Sequence, residues 1–172
     1  MNKDSAWYAV FVKTGEEDKV KERLDYRFGG SLVVVVPKKV IKERRSGKWY
    51  QRVRNLFPSY LFIYGIIDEH NYKQLWDVPG LFKLLCTDRE PVPIPRQEIE
   101  VFASLFDDEG TIQESDIFME GDEITIISGP LTSLQGKVLR VDKRKGRARV
   151  LLDFLGEARV IDLGVNIIES KK

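Results

Sequence analysis

The chain holds one cysteine, Cys86, and one histidine, His70, in 172 residues. A lone thiol excludes a disulfide framework and a cysteine-rich metal site. The two residues fall in different predicted elements, and no phosphate-cradling GxxxxGK[ST] loop occurs. No enzyme, cofactor or metal is therefore expected. The adjacent acids Asp107, Asp108 and Glu109 are read as solvated rather than as cation ligands. Long hydrophobic runs are also missing, and the aliphatic run 32–36 is far short of the ~20 residues that a membrane span needs. The opening residues Met1-Asn2-Lys3-Asp4 are polar and lead straight into a strand pattern, unlike a signal peptide. A cytoplasmic protein with no membrane partner is expected. Net charge is missing too: 28 Lys and Arg against 27 Asp and Glu leave only +1. Affinity for a polyanion must then come from clusters.

Clusters are present. Lys38, Lys39, Lys42, Arg44, Arg45, Lys48, Arg52 and Arg54 face one acid, Glu43, within 38–54. Residues 107–123 carry acids only. Lys137, Arg140, Lys143, Arg144, Lys145, Arg147 and Arg149 surround the single acid Asp142. A charge run taken alone is usually a solvated face. A turn so dominated by one sign in a small module points instead to a polyanion.

The local patterns order themselves along the chain. Residues 7–12 are apolar and β-prone, and Val20, Leu24 and Phe28 at i, i+4 and i+8 mark an amphipathic helix closed by Gly29-Gly30. The run 32–36 reads as a strand buried on both faces. Residues 39–55 form a basic hairpin with Ser46-Gly47 at its tip, and 56–64 a β-prone return strand. Asp68 can cap a second helix, Pro79-Gly80 stops it, and 81–85 is a short strand. Pro95 pre-sets a third helix burying Ile99, Phe102, Leu105 and Phe106. Short β segments follow at 124–127, 137–141, 147–153 and 158–163, separated by glycine. The predicted fold class is α+β. An antiparallel sheet flanked by helices occupies 1–106, an acidic flexible linker 107–116, and a small all-β barrel 117–172.

Three motifs carry a family resemblance. They are Trp7-Tyr8-Ala9-Val10 with Gly15-Glu16; Phe57-Pro58-Ser59-Tyr60-Leu61-Phe62 with Val78-Pro79-Gly80; and Gly121-Asp122, Ser128-Gly129-Pro130 and Gly136-Lys137-Val138, with Phe154-Leu155-Gly156 beyond. Each is short, but their order and spacing are specific. The chain resembles the NusG/Spt5 family of transcription elongation factors, with an N-terminal NGN-like domain and a C-terminal KOW barrel. Ser59 stands where the family usually has glycine, and the barrel turn is denser in cations than in housekeeping members. Both departures look similar to specialised paralogues, the second to the LoaP group of antiterminators, whose members recognise RNA.

The resemblance implies docking on the clamp of the largest RNA polymerase subunit through Tyr8, Phe57, Pro58 and Tyr60, with Leu84 and Leu85 in support. Because strand residues alternate faces, some of these must be core. His70, Asn71 and Lys73 match the place where relatives approach non-template DNA, though a solvated helix turn fits equally well. Trp49 and Tyr50 interleaved with cations suit stacking, and a mobile charged loop explains them equally well. Lys137, Arg140, Lys143, Arg144, Lys145, Arg147 and Arg149 are the expected contacts to a nascent RNA hairpin. A processive antitermination factor acting as a monomer is the expected function. The alternative is a general NusG-type factor whose barrel docks a ribosomal protein or Rho. A third possibility is a translation-associated KOW protein without polymerase contact. The many glycines and β-branched residues after 120 argue against a stable helical form of the C-terminal domain.

Overall fold

A computed structural model describes residues 4–168, so most of the polar leader and the last four residues of the expected barrel domain lie outside the described residues. In chain order the elements are β1 (Ala6–Val12), α1 (Glu17–Phe28), β2 (Val33–Val35), β3 (Lys38–Arg45), β4 (Lys48–Asn55) and β5 (Tyr60–Gly65). Next come α2 (Glu69–Trp76), β6 (Leu81–Leu84), β7 (Cys86–Thr87), β8 (Glu90–Pro91) and α3 (Arg96–Leu105). Then β9 (Thr111–Ile112), β10 (Ser115–Glu120), β11 (Glu123–Ser128), β12 (Val138–Asp142), β13 (Arg147–Phe154) and β14 (Glu157–Ile168) complete the chain. The class is α+β. No described helix is long and apolar enough to cross a membrane.

The chain divides into two compact units. One holds the described residues up to Pro37 together with Phe57–Ile99. Its sheet runs β2-β5-β1-β6, with β1 central and antiparallel to β5 and β6. Alternation sends Tyr8, Val10 and Val12 of β1 into a core that also buries Val20, Leu24 and Phe28 of α1. The αL conformation of Gly29 ends α1, and its N–H returns to the Asp25 carbonyl. Asp68 caps α2 by accepting the Asn71 N–H at 2.7 Å. The strand expected to be buried on both faces is instead the edge strand β2, and Val33 is 51% exposed. Burial alternates along the run, with Leu32, Val34 and Val36 buried and Val33 exposed, so only one face of it is covered.

The second unit joins Lys38–Leu56 to the chain from Glu100 onward. The hairpin β3–β4 is therefore not part of the N-terminal unit, although it lies within the expected domain 1–106. Ser46 and Gly47 both take positive φ (51° and 80°), as a two-residue hairpin turn of this twist requires. The stretch 107–116, expected as a solvated linker, is instead structured. Thr111 and Ile112 pair in parallel with Lys38 and Lys39, and Ile112 and Ser115 are buried. The C-terminal sheet runs β11-β10-β14-β13-β12, with β10 parallel to β14 and the other pairs antiparallel. Along β13, Ala148, Val150, Leu152 and Phe154 point inward while Arg147, Leu151 and the exposed Arg149 and Asp153 face out. Phe102 of α3 meets Phe154 edge to face at 6.2 Å. Gly164 of β14 sits under the hairpin: a Cβ there would lie 2.3 Å from the Val40 carbonyl oxygen.

Candidate polymerase and nucleic-acid surfaces

Alternation along β1 gives the first unit a second face. Opposite Tyr8, Val10 and Val12 stand Trp7, Ala9 and Phe11, and the N-terminal aromatics on this side remain accessible. Phe11 is 37% exposed and lies between Tyr60, 5.6 Å away edge-on, and Phe82, 6.1 Å away. Phe82 is 54% exposed. Trp7 packs on Tyr64 at 5.2 Å further along the same strand pair. Of the expected polymerase contacts, Pro58 is exposed, and Tyr60 and Leu85 are half-buried. Tyr8, Phe57 and Leu84 are buried, so their side chains belong to the core rather than to a docking surface. Burial also pushes the Tyr8 phenol above its usual range. Phe11 and Phe82 are not among the residues that the motifs single out, yet strand alternation from the buried Tyr8 is enough to find Phe11.

The loop before β5 is built around a buried carboxylate. Glu17, in the first turn of α1, accepts the Ser59 N–H at 2.9 Å. Burial pushes this carboxyl up, but the N–H bonds of Ser59, Glu17 and Gly15 outweigh it and hold it below the usual range. Ser59 takes φ +74°, a left-handed conformation, and its hydroxyl is bonded to that of Thr14. A left-handed position explains why glycine would be preferred here.

At the start of α2, His70 and Lys73 are exposed and Asn71 is half-buried. Each is engaged locally. His70 bonds Gln74 at 2.7 Å, Lys73 pairs with Glu69 at 3.0 Å, and the Asn71 amide donates to the Ile66 carbonyl at 2.7 Å. His70 and Lys73 are held by Gln74 and Glu69 of the same helix, whereas Asn71 fixes the helix start.

Four basic side chains of the second unit, Arg140, Lys145, Arg147 and Arg149, meet at the C-terminal sheet. Register places Arg140 opposite Arg149 and Asp142 opposite Arg147. Arg140, Asp142, Lys145, Arg147, Arg149 and Asp162 line a cleft of about 200 Å³. Asp142 has a local duty: it accepts the Lys145 N–H at 3.0 Å, which holds its carboxyl below the usual range and fixes the turn. Arg149 pairs with Asp162 at 3.4 Å. Lys143, Arg144 and Lys145 are exposed at the tip, Lys137 and Arg140 are exposed, and Arg147 is half-buried. Six of the seven expected RNA contacts are therefore exposed, and the half-buried Arg147 lines the cleft. Arg147 is tucked toward the hairpin and donates to the Lys42 carbonyl at 3.2 Å.

The sequence and the fold match known proteins. Residues 5–103 match the family model described as transcription termination factor nusG, and residues 120–153 match the KOW motif. A transcription termination/antitermination protein NusG of Thermus thermophilus is 29% identical, with 91% of this chain and 94% of that protein covered. The Synechocystis protein of the same name is 25% identical over 96% of this chain and 89% of its own length. A solved structure concerned with domain interaction in Thermotoga maritima NusG shares the fold, with a TM-score of 0.59, 23% identity and 94% of each chain covered. Since the N-terminal match alone spans more than half of the sequence, this chain belongs to the NusG family.

Proposed function

We propose that the chain is a processive transcription antitermination factor of the specialised, LoaP-like kind. Its N-terminal unit docks on the clamp of the largest RNA polymerase subunit, and its C-terminal sheet captures a nascent RNA hairpin. Polymerase docking is supported by the accessible row Phe11, Tyr60 and Phe82, beside which Pro58 is exposed. Exposed aromatics of this kind give large contact area at low entropic cost when a helix lies across them. The N-terminal turn of α2, through His70, Asn71 and Lys73, is placed toward non-template DNA in this reading. RNA capture works by mass action: a factor held to the transcript is concentrated at the polymerase that made it.

The observation that carries the reading is the β12–β13 turn, where four cations line a cleft against two carboxylates and further cations project from the tip. Such an arrangement suits phosphates. The test is binding of the full chain to a labelled RNA stem-loop across a salt series. Charge reversal at Lys143 and Lys145 should weaken binding at least 10-fold and flatten the slope of log K against log salt, by about 0.7–0.9 for each phosphate that is no longer neutralised. Unchanged affinity in that variant would overturn the RNA assignment. A second reading, a general adaptor that docks a protein, draws on the exposed Ile127, Leu139 and Val160 of the same sheet. Salt-insensitive binding of a ribosomal protein with no RNA affinity would favour it.

A further inference from the structure

The β3–β4 hairpin lies against the same part of the sheet that bears the cation cleft. Only glycine at 164 lets the Val40 carbonyl approach β14 so closely. Around that approach, the Lys39 ammonium donates to the Asp162 carbonyl at 2.7 Å, and Lys42 bonds Asn166. The Arg147 guanidinium donates to the Lys42 carbonyl, while its buried Nε has no acceptor among the described residues. Arg147 thus belongs to both the cleft and the hairpin junction.

Glu43 shows how the two charge clusters merge. Its two carboxylate oxygens accept from Arg54 Nε and Nη2, each at 2.7 Å. The Arg54 bond is the main reason its carboxyl sits below the usual range, with Arg147 and Arg52 adding to the effect. Arg147 of β13, bonded to the carbonyl of Lys42 next in the chain to Glu43, brings its charge to the hairpin that carries Arg52 and Arg54. Directly across the hairpin from Glu43 stands Tyr50, 41% exposed, with the Arg52 guanidinium 5.5 Å from its ring centre.

We propose that the β3–β4 hairpin and the β12–β13 turn form a single RNA-binding surface. In it the cleft of Arg140, Lys145, Arg147 and Arg149 seats a backbone phosphate, and Tyr50 stacks on an unpaired base nearby. This rests on the RNA reading of the turn given above, and it names the feature read: a stem whose loop or flank offers unstacked bases. A blunt duplex can fill the cleft but has no base to present to Tyr50, because duplex bases remain stacked on each other. The cleft alone would read charge and shape. The added aromatic makes the surface distinguish a hairpin loop from a plain helix.

The experiment compares the full chain with Tyr50→Ala, Tyr50→Trp and Arg149→Glu, by fluorescence anisotropy. The probes are a labelled RNA stem-loop with an unpaired loop and a blunt duplex of the same stem. Tyr50→Ala changes no charge; it should weaken stem-loop binding about 10-fold, within the range of one missing base stack, and change duplex binding less than about 2-fold. Tyr50→Trp should retain stem-loop binding. Arg149→Glu should weaken both probes with a shallower salt dependence. Wild-type stem-loop affinity in Tyr50→Ala, with Arg149→Glu impaired, would overturn the composite surface and leave the RNA reading of the turn standing. Full affinity in Arg149→Glu would overturn that reading and the composite surface with it. Equal losses for stem-loop and duplex in Tyr50→Ala would also overturn the proposal, since a structural defect rather than a missing stack would explain them.

Discussion

The main-chain N–H of Ser59 donates to Glu17 Oε1 at 2.9 Å, tying the loop before β5 to the first turn of α1. Replacing Glu17 by alanine leaves a buried N–H without its acceptor, a loss of about 1–3 kcal/mol that urea unfolding should show. The bond also sets a pH dependence. Glu17 has its folded-state pKa depressed, so its contribution is full above the ordinary value of 4.5 and is lost as pH falls through the lower folded value. Stability of the wild type should fall more steeply with acidification over that window than stability of Glu17→Gln. Parallel pH profiles would contradict this.

Ser59 itself sits at φ +74°. Ser59→Ala keeps the backbone penalty and removes the hydroxyl bonded to Thr14, whereas Ser59→Gly removes the hydroxyl but relieves the backbone. The glycine variant should therefore be the more stable of the two, by about 1 kcal/mol in thermal or denaturant melts. The reverse order would mean that φ at this position is not strained.

Gly164 is where β14 and the hairpin meet. A methyl group there would press on the Val40 carbonyl, and backbone cannot yield as a flexible side chain can. Gly164→Ala should destabilise the chain by about 1–3 kcal/mol, as overpacking does. Hydrogen exchange should localise the change to β3 and β14. Protection of β3 equal to wild type would contradict the packing.

Phe11 and Tyr8 share one strand and face opposite sides of the sheet. Phe11→Ser should leave the melting behaviour close to wild type while weakening polymerase binding; a hot-spot aromatic carries about 2 kcal/mol or more, roughly 30-fold. Tyr8→Ala should instead cost about 3–5 kcal/mol of stability, because Tyr8 is 1% exposed and fills the core. A co-elution assay beside a thermal melt separates the two effects.

These contrasts show what is legible in the amino-acid order alone. Periodicity places α1 and its buried Val20, Leu24 and Phe28, and the cap at Asp68, because each signal lies within one element. The charge of the β12–β13 turn is equally plain, since alternation alone puts Arg147 and Arg149 on one face. Burial of Ile112 is not, because it depends on pairing with β3, far away in the chain, and β9 is too short to show a period. Acidic neighbours and Gly110 make the same stretch look like a solvated linker. Ser115 escapes notice for a related reason: a polar residue gives no hint that its hydroxyl will accept the Leu131 N–H at 2.9 Å inside the fold. The motif residues Tyr8 and Phe57 are buried and hold the scaffold, while the neighbouring aromatics Phe11 and Phe82 are exposed.

In the proposed function, termination is suppressed by a factor that must hold both polymerase and RNA. The most direct measurement is single-round transcription in vitro through a terminator placed downstream of a template-encoded RNA hairpin, with the wild-type chain, Phe11→Ser and Arg149→Glu. Readthrough several-fold above background with the wild type, abolished in both variants and abolished when the hairpin is deleted from the template, is the predicted result. Unchanged readthrough, termination increased by the wild type, or readthrough that persists without the hairpin would contradict it.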